Sequence, residues 1–298
     1  MYQSAKQFFS ICLILIFAFS IGTVAQTLVA EGAEIVKLAN DFSFTEGPAA
    51  DAQGNVYFTD QPNNLIYVWT VEGKLDTFHT SPQRANGMYF DNDGALLACA
   101  DLHNRLVAIK QNGDIKTIVG EYKGDAFNGP NDLWVHPDGS IFFTDPFYQR
   151  PWWDHENPPQ EERAVYYVSP DRSTLKRVAT DFVQPNGIIG TPDGKTLYVA
   201  DINAGKTFAF DIKKSGELAD RRFFAPEGSD GMTIDNRGNV YLTNDGVSVF
   251  DPKGNKMTNI EVPERPANVC FGGKENKTLF ITARTSLYSL DMQVKGVQ

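Results

Sequence analysis

Asn131-Asp132-Leu133, Pro137-Asp138-Gly139 and Ile141-Phe142-Phe143-Thr144-Asp145 make up one copy of a pattern that recurs along the whole chain. An oxygen-bearing anchor residue comes first, a tight turn follows, and a β-branched and aromatic run closes the copy. Outward from it, Asn186-Gly187-Ile188 leads through Pro192-Asp193-Gly194 to Leu197-Tyr198-Val199-Ala200-Asp201. Asp230-Gly231-Met232 leads through Asp235 and Gly238 to Val240-Tyr241-Leu242-Thr243. Towards the N-terminus, Asn86-Gly87-Met88 precedes Leu96-Leu97-Ala98, and Glu46-Gly47-Pro48 precedes Val56-Tyr57-Phe58-Thr59-Asp60. A weaker sixth copy joins Asn268-Val269-Cys270 to Leu279-Phe280-Ile281-Thr282. The anchors Glu46, Asn86, Asn131, Asn186, Asp230 and Asn268 are 40, 45, 55, 44 and 38 residues apart. A repeat of this length with several short strands per copy predicts an all-β, six-bladed β-propeller with four-stranded blades around a central channel. Equivalent positions of a radial repeat lie at equivalent places around one axis, so the anchors are expected to converge there.

Each copy carries a further strand-like run. Ile66-Tyr67-Val68-Trp69, Leu106-Val107-Ala108-Ile109 and Val165-Tyr166-Tyr167-Val168 are examples, each followed by a polar or Gly-containing turn segment. The Asp-x-x-Gly segments at Asp91 and Asp235 have a local explanation: Asp bonds the turn backbone and Gly supplies positive φ. No sustained 3.6-residue apolar period follows the N-terminal segment, so almost no helix is expected. A propeller closes by pairing its two ends in one blade. The segment Glu34 to Leu38 is placed to complete the blade that ends near Leu290. The longest gap between anchors contains an insertion, Pro146 to Arg163, with four prolines and the pair Trp152-Trp153. That composition excludes a regular element, and long loops in compact domains are often functional.

The N-terminal segment reads as an export signal. Lys6 precedes an apolar stretch from Phe8 to Val24, and Thr23-Val24-Ala25 offers a small-residue cleavage site. An uncleaved anchor is the rival reading. Residues 26–298 then form a single propeller domain in the periplasm or outside the cell. A formal net charge of -10 without a basic run gives no basis for binding nucleic acid or an anionic membrane. Cys99 and Cys270 lie in separate apolar runs and are read as buried free thiols; no CxxC element supports a thiolate metal site.

The anchors offer only carboxylate and amide groups. Two uncompensated carboxylates in a narrow site repel one another and resist desolvation. A bound cation removes that conflict. Oxygen donors without His or Cys suit a hard ion, and the number of amides favours Ca²⁺ over Mg²⁺. Taken singly, each anchor also fits a turn-capping Asn or Asp. Taken together at one repeat position, they fit a single metal site.

Thr45-Glu46-Gly47-Pro48, Phe127-Asn128-Gly129-Pro130-Asn131-Asp132-Leu133, Ile141 to Pro146, Pro185-Asn186-Gly187 and Ser229-Asp230-Gly231-Met232 resemble, in the same order, the motifs of the gluconolactonase/senescence-marker-protein/luciferin-regenerating family. The resemblance covers nearly all of the chain after the leader. It implies a six-bladed propeller holding one divalent cation, calcium by expectation and magnesium or zinc as alternatives. It implies hydrolysis of a small lactone, with organophosphates or other esters as alternative substrates. By motif, Glu46, Asn186, Asp230 and Asn131 are implied metal ligands, Asn131 in some relatives touching substrate instead. Asp230 is the implied general base, and Asn128 is assigned to substrate or to the layer behind it. Animal members have an Arg where this chain has Gly129, so that substrate contact is absent or comes from elsewhere.

The implied chemistry is metal polarisation of the lactone carbonyl and attack by a water that Asp230 deprotonates. Tyr148 and Trp152, with Phe147 and Trp153, are candidates for an apolar lid over the substrate; packing of the insertion against the blade is the alternative. His136 and His155 are read as surface or solvated residues. No Gly-x-Ser-x-Gly element is present, so a serine hydrolase is not supported. A non-catalytic propeller with a structural ion is the third reading, and two acids among six axial positions argue against it.

Overall fold

The computed structural model describes residues 28–297. The leader reading over residues 1–25 therefore lies outside the described residues. Six four-stranded antiparallel sheets form the blades of a six-bladed propeller. Four blades are continuous and regular: Thr45–Ala50 to Leu75–His79, Ala85–Phe90 to Ile115–Val119, Pro185–Gly190 to Leu218–Ala225, and Met232–Ile234 to Lys256–Ile260. The third blade, Leu133–Val135 to Leu175–Ala179, carries the insertion between its second and third strands. The sixth runs from Pro266–Gly272 through Thr278–Ala283 to Ser286–Asp291. Its outer strand is Val36–Ala39, paired through Val36 opposite Ser289 and Lys37 opposite Tyr288. The ring is thus closed by the segment expected to close it. Glu264 reinforces the closure by accepting from Ser286, Tyr288 and Lys37.

Apolar alternation explains where the core lies. Second strands such as Val56–Asp60 and Ile141–Asp145 are buried throughout, whereas the outer strand Leu75–His79 is largely exposed. The buried clusters span neighbouring blades; one joins Trp134 and Phe142 of blade 3, Leu197 of blade 4 and Val240 of blade 5. Polar outer edges protect the sheets from further strand pairing. Cys99 and Cys270 are buried free thiols. The Asp-x-x-Gly turns are structural: Asp91 accepts from the backbone of Asp93 and Ala95, and Asp235 from Arg237 and Asn239.

The inner strands carry the feature that matters for a site. Their pairing with the second strand slips between Glu46 and Ala49, Ala85 and Met88, Pro185 and Ile188, and Pro266 and Asn268. Each bulge contains or borders an anchor, and a bulge re-aims side chains locally. Glycines beside the anchors let the inner strands approach closely. A Cβ on Gly87 would stand 2.5 Å from the Asn131 carbonyl oxygen and 2.5 Å from Asp132 Oδ1. At Gly120 the nearest atoms to an added Cβ are 3.8 Å away.

Gly87→Ala is therefore expected to cost ~1–3 kcal/mol from overpacking at the axis, whereas Gly120→Ala stays within about 0.5 kcal/mol of wild type. Denaturant unfolding of the two variants checks this; equal stability would remove the close axial approach.

Candidate active site

Around the axis, one cavity of about 330 Å³ opens at a face of the ring. Glu46, Asn86, Asn131 and Asp230 line it, with Tyr148 and Arg150 from the insertion and Gln61, Arg265 and Arg284 from loops. Four of the six anchors thus line one cavity. Asn186 and Asn268 stand behind the two carboxylates. Asn186 Nδ2 donates to Asp230 Oδ1 at 2.7 Å, and Asn268 Nδ2 donates to Glu46 Oε2 at 3.1 Å. Glu46 Oε2 also accepts from the Gly47 amide at 2.6 Å.

Each carboxylate is tethered through one oxygen only. Among the described residues, Glu46 Oε1 and Asp230 Oδ2 receive no hydrogen bond. The amide oxygens Asn86 Oδ1 and Asn186 Oδ1 are buried without a partner. Asn186 cannot be turned to relieve this, because its nitrogen faces an acceptor-only carboxylate. Burial drives the Glu46 carboxyl well above its ordinary range, and the charge of Asp230 adds to the shift. Burial likewise raises Asp230, while the Asn186 hydrogen bond, Arg265 and Arg150 oppose the rise. Two acids and several unpaired acceptor oxygens around one cavity form the donor set that a hard cation satisfies. No three His, Cys, Asp or Glu side chains gather among the described residues, so any such site is built from amide as well as carboxylate oxygen.

Buried threonines tie the anchors of neighbouring blades. Thr144 Oγ1 donates to the Asn186 carbonyl at 2.8 Å, and Thr243 Oγ1 to the Ala267 carbonyl at 2.7 Å. Thr59 reaches the Asn86 carbonyl at 3.5 Å. Their signal in the sequence is the Thr that ends the second-strand run, present in four copies and replaced by Ala100 and Ala200 in the others.

The insertion forms the cavity's side wall. Tyr148 accepts from Asn186 Nδ2 at 2.9 Å. Trp152 is not in the cavity lining; it packs under Arg84, 4.2 Å from ring centroid to guanidinium carbon. Trp153 donates to the Asp101 carbonyl at 2.7 Å and stacks on His155. Asn128, expected near the substrate, is fully buried outside the lining. Its amide clamps the insertion instead, donating to the Glu162 carbonyl and accepting from the Gln160 amide at 2.8 Å. His136 binds the Gly194 carbonyl between blades and does not line the cavity.

Asp101 was not visible as a site residue. At the equivalent place Asp60, Asp145 and Asp201 each accept two backbone N–H groups from the segment entering the inner strand. In blade 2 that segment is turned by positive φ at Gln83 and Arg84, and its carbonyls face the strand end. The Asp101 carboxylate is thereby left for side chains, holding Arg150 Nε at 2.7 Å and accepting from Gln61 at 3.0 Å, two residues that line the cavity. Gly129 brings no guanidinium to the cavity, and Arg150 of the insertion lines it.

A six-bladed propeller with an axial oxygen-lined cavity is the class that this fold and site define. The chain belongs to the SMP-30/Gluconolactonase/LRE-like family, whose region matches residues 44–285. It is 30% identical over 281 residues to a gluconolactonase of Zymomonas mobilis subsp. mobilis, covering 83% of this chain and 78% of that one. The structure of a gluconolactonase from Xanthomonas campestris superposes with a TM-score of 0.84 at 30% identity, over 90% of this chain and 92% of that chain. Diisopropyl-fluorophosphatase of Loligo vulgaris is 26% identical over 83% of this chain and 87% of its own length. These relationships make the chain a lactone hydrolase.

Burial pushes Asp101 up to about 6, with Arg150 pulling against the shift. The raised value means that ionising Asp101 opposes folding: its stabilising contribution is present below about pH 4 and lost as pH rises through about 6. The Arg150 pair has the opposite dependence and forms only above about 6. Tryptophan fluorescence, reported by Trp152 and Trp153, is expected to show a transition with its midpoint near pH 6 that Asp101→Asn abolishes. An unchanged transition in the variant would detach Asp101 from the insertion.

Proposed function

We propose that the protein is a divalent-metal-dependent hydrolase that opens a sugar lactone in the axial cavity, acting after export to the periplasm or the cell exterior. The observation that carries this reading is the donor set: Glu46 Oε1, Asp230 Oδ2 and the orphaned amide oxygens of Asn86 and Asn186, around a cavity that Asn131 also lines. Glu46, Asn186, Asp230 and Asn131 would hold the cation, with Asn86 as a further donor, and calcium best suits so many protein oxygens. When bound, a cation supplies Lewis-acid polarisation of the lactone carbonyl.

The chain's own residues account for the remaining steps. Asn186 anchors Asp230 through Oδ1 and fixes the orientation of the carboxylate that takes a proton from the attacking water. A lactone is an activated ester, so a weak base suffices. Burial and the Asp230 charge raise the Tyr148 hydroxyl to about 12, so it remains protonated at neutral pH. Its oxygen accepts from Asn186, and its proton is free to donate to a substrate oxygen. Asn131 lines the cavity with an amide for the substrate hydroxyls. The walls formed by Tyr148 and Arg150 reduce solvent access and fix the ring's orientation.

A panel of aldonolactones, acyl lactones and a phosphotriester, assayed with and without chelator, tests the reading. Aldonolactone turnover is expected to lead, to vanish with chelator and to return with calcium, magnesium or zinc; chelator-insensitive turnover would contradict it. Asp230→Asn should keep the fold and abolish lactone opening, and unchanged turnover would remove Asp230 from the mechanism. Tyr148→Phe is expected to lower kcat/KM by about 2- to 12-fold, the range for one hydrogen bond of ~0.5–1.5 kcal/mol; steady-state kinetics on the preferred lactone checks it.

A further inference from the structure

The cavity presents two arginines that have no acidic partner in contact. Three arginines line it, Arg150, Arg265 and Arg284, beside two acids, Glu46 and Asp230. The chain as a whole has 27 Lys and Arg residues against 37 Asp and Glu, so three arginines at one cavity are a local concentration of positive side chains. Arg150 is neutralised locally by Asp101. Arg265 and Arg284 form no salt bridge among the described residues. Both are exposed. Arg265 makes one long contact, Nη2 to Asn244 Oδ1 at 3.4 Å.

Their backbones are held in place. Arg265 immediately precedes the inner strand Pro266–Gly272. Arg284 sits at positive φ, 47°, in the tight connection between Thr278–Ala283 and Ser286–Asp291. Its carbonyl accepts from the Thr45 amide at 2.7 Å and from Thr45 Oγ1 at 3.2 Å, next to Glu46. Two guanidinium groups on neighbouring loops of one blade are therefore presented to one cavity. With a divalent cation held by Glu46 and Asp230, those carboxylates are already compensated, and the arginines remain available. A neutral sugar ring does not need them. Planar guanidinium forks match the paired oxygens of a carboxylate or phosphate.

We propose that the lactone opened here carries a second anionic group, a carboxylate or a phosphate remote from the ring carbonyl, which Arg265 and Arg284 bind at the cavity mouth. This rests on the lactone-hydrolase reading and specifies its substrate class. The floor of the site handles the ring carbonyl, and the arginine pair sets which lactone enters. Part of the effect is electrostatic attraction, so it weakens with ionic strength.

The test uses the metal-loaded full chain and three matched lactones: a neutral aldonolactone, an aldarolactone with a terminal carboxylate, and an aldonolactone with a terminal phosphate. One anionic lactone should exceed the neutral one in kcat/KM by about tenfold or more, as one charge-assisted hydrogen bond provides. Whichever is higher identifies the group as carboxylate or phosphate. That ratio should fall at least about fivefold in Arg265→Gln and in Arg284→Gln, and recover partly in the Lys variants. A neutral lactone turned over as well as both anionic ones, or a ratio unchanged in both Gln variants, would overturn the proposal.

Calorimetric binding of the ring-opened acids separates this from the parent reading. Tighter binding of the aldarate or phosphorylated aldonate than of the plain aldonate, lost in the double Gln variant, supports the anion subsite even if no lactone is opened, a result that would defeat only the hydrolase reading. Equal binding of all three acids would overturn the subsite.

Discussion

Two buried carboxylates at one axis set the terms for the whole site. Glu46 and Asp230 come from the first and fifth blades, and the closed ring brings them to one cavity. Each is restrained through a single oxygen by an amide from the blade before it, Asn268 for Glu46 and Asn186 for Asp230. The remaining oxygens have no protein donor, and two amide oxygens nearby are buried without partners. Such an arrangement is costly for a fold to retain unless something positive completes it. That cost is the physical reason for reading the axis as a cation site and not as a set of turn caps.

The scaffold is organised to keep that arrangement rigid. Bulges in the inner strands aim the anchors, glycines permit the close approach of neighbouring backbones, and threonines stitch one blade's second strand to a carbonyl at or beside the next anchor. The insertion then adds the asymmetric part. Asn128 and Gln160 hold its base, Asp101 holds Arg150, and Tyr148 touches the Asn186–Asp230 pair. A symmetric ring supplies the floor, and one irregular loop gives it a side.

Much of this was legible in the residues. The period of the anchors set the blade number, alternation located the strands, and the run from Glu34 to Leu38 closed the ring as its position implied. Glu46, Asn131 and Asp230 were readable as axial residues because repetition placed them at one level. Asn186 is not itself in the cavity lining but is bonded to two residues that are, Asp230 and Tyr148, and its amide oxygen is left without a partner beside them. What repetition could not reveal lies off the repeat. Asn128 is assigned by motif to substrate or to the layer behind it, and its amide is spent on the insertion, outside the lining. Asp101 looks like the capping Asp60, Asp145 and Asp201, and only the positive φ of Gln83 and Arg84 frees it. Arg265 and Arg284 sit in connections off the repeat, and Arg284 is placed by its carbonyl's bond to the Thr45 amide across the sixth and first blades.

Calorimetric titration of chelator-treated full-length protein with calcium, repeated for Glu46→Gln, tests the central claim most directly. One ion per chain, a higher unfolding temperature on saturation, and binding weakened by at least about tenfold in the variant, the loss of one anionic ligand, are expected. No binding in excess calcium, magnesium or zinc, or equal affinity in wild type and Glu46→Gln, would contradict it.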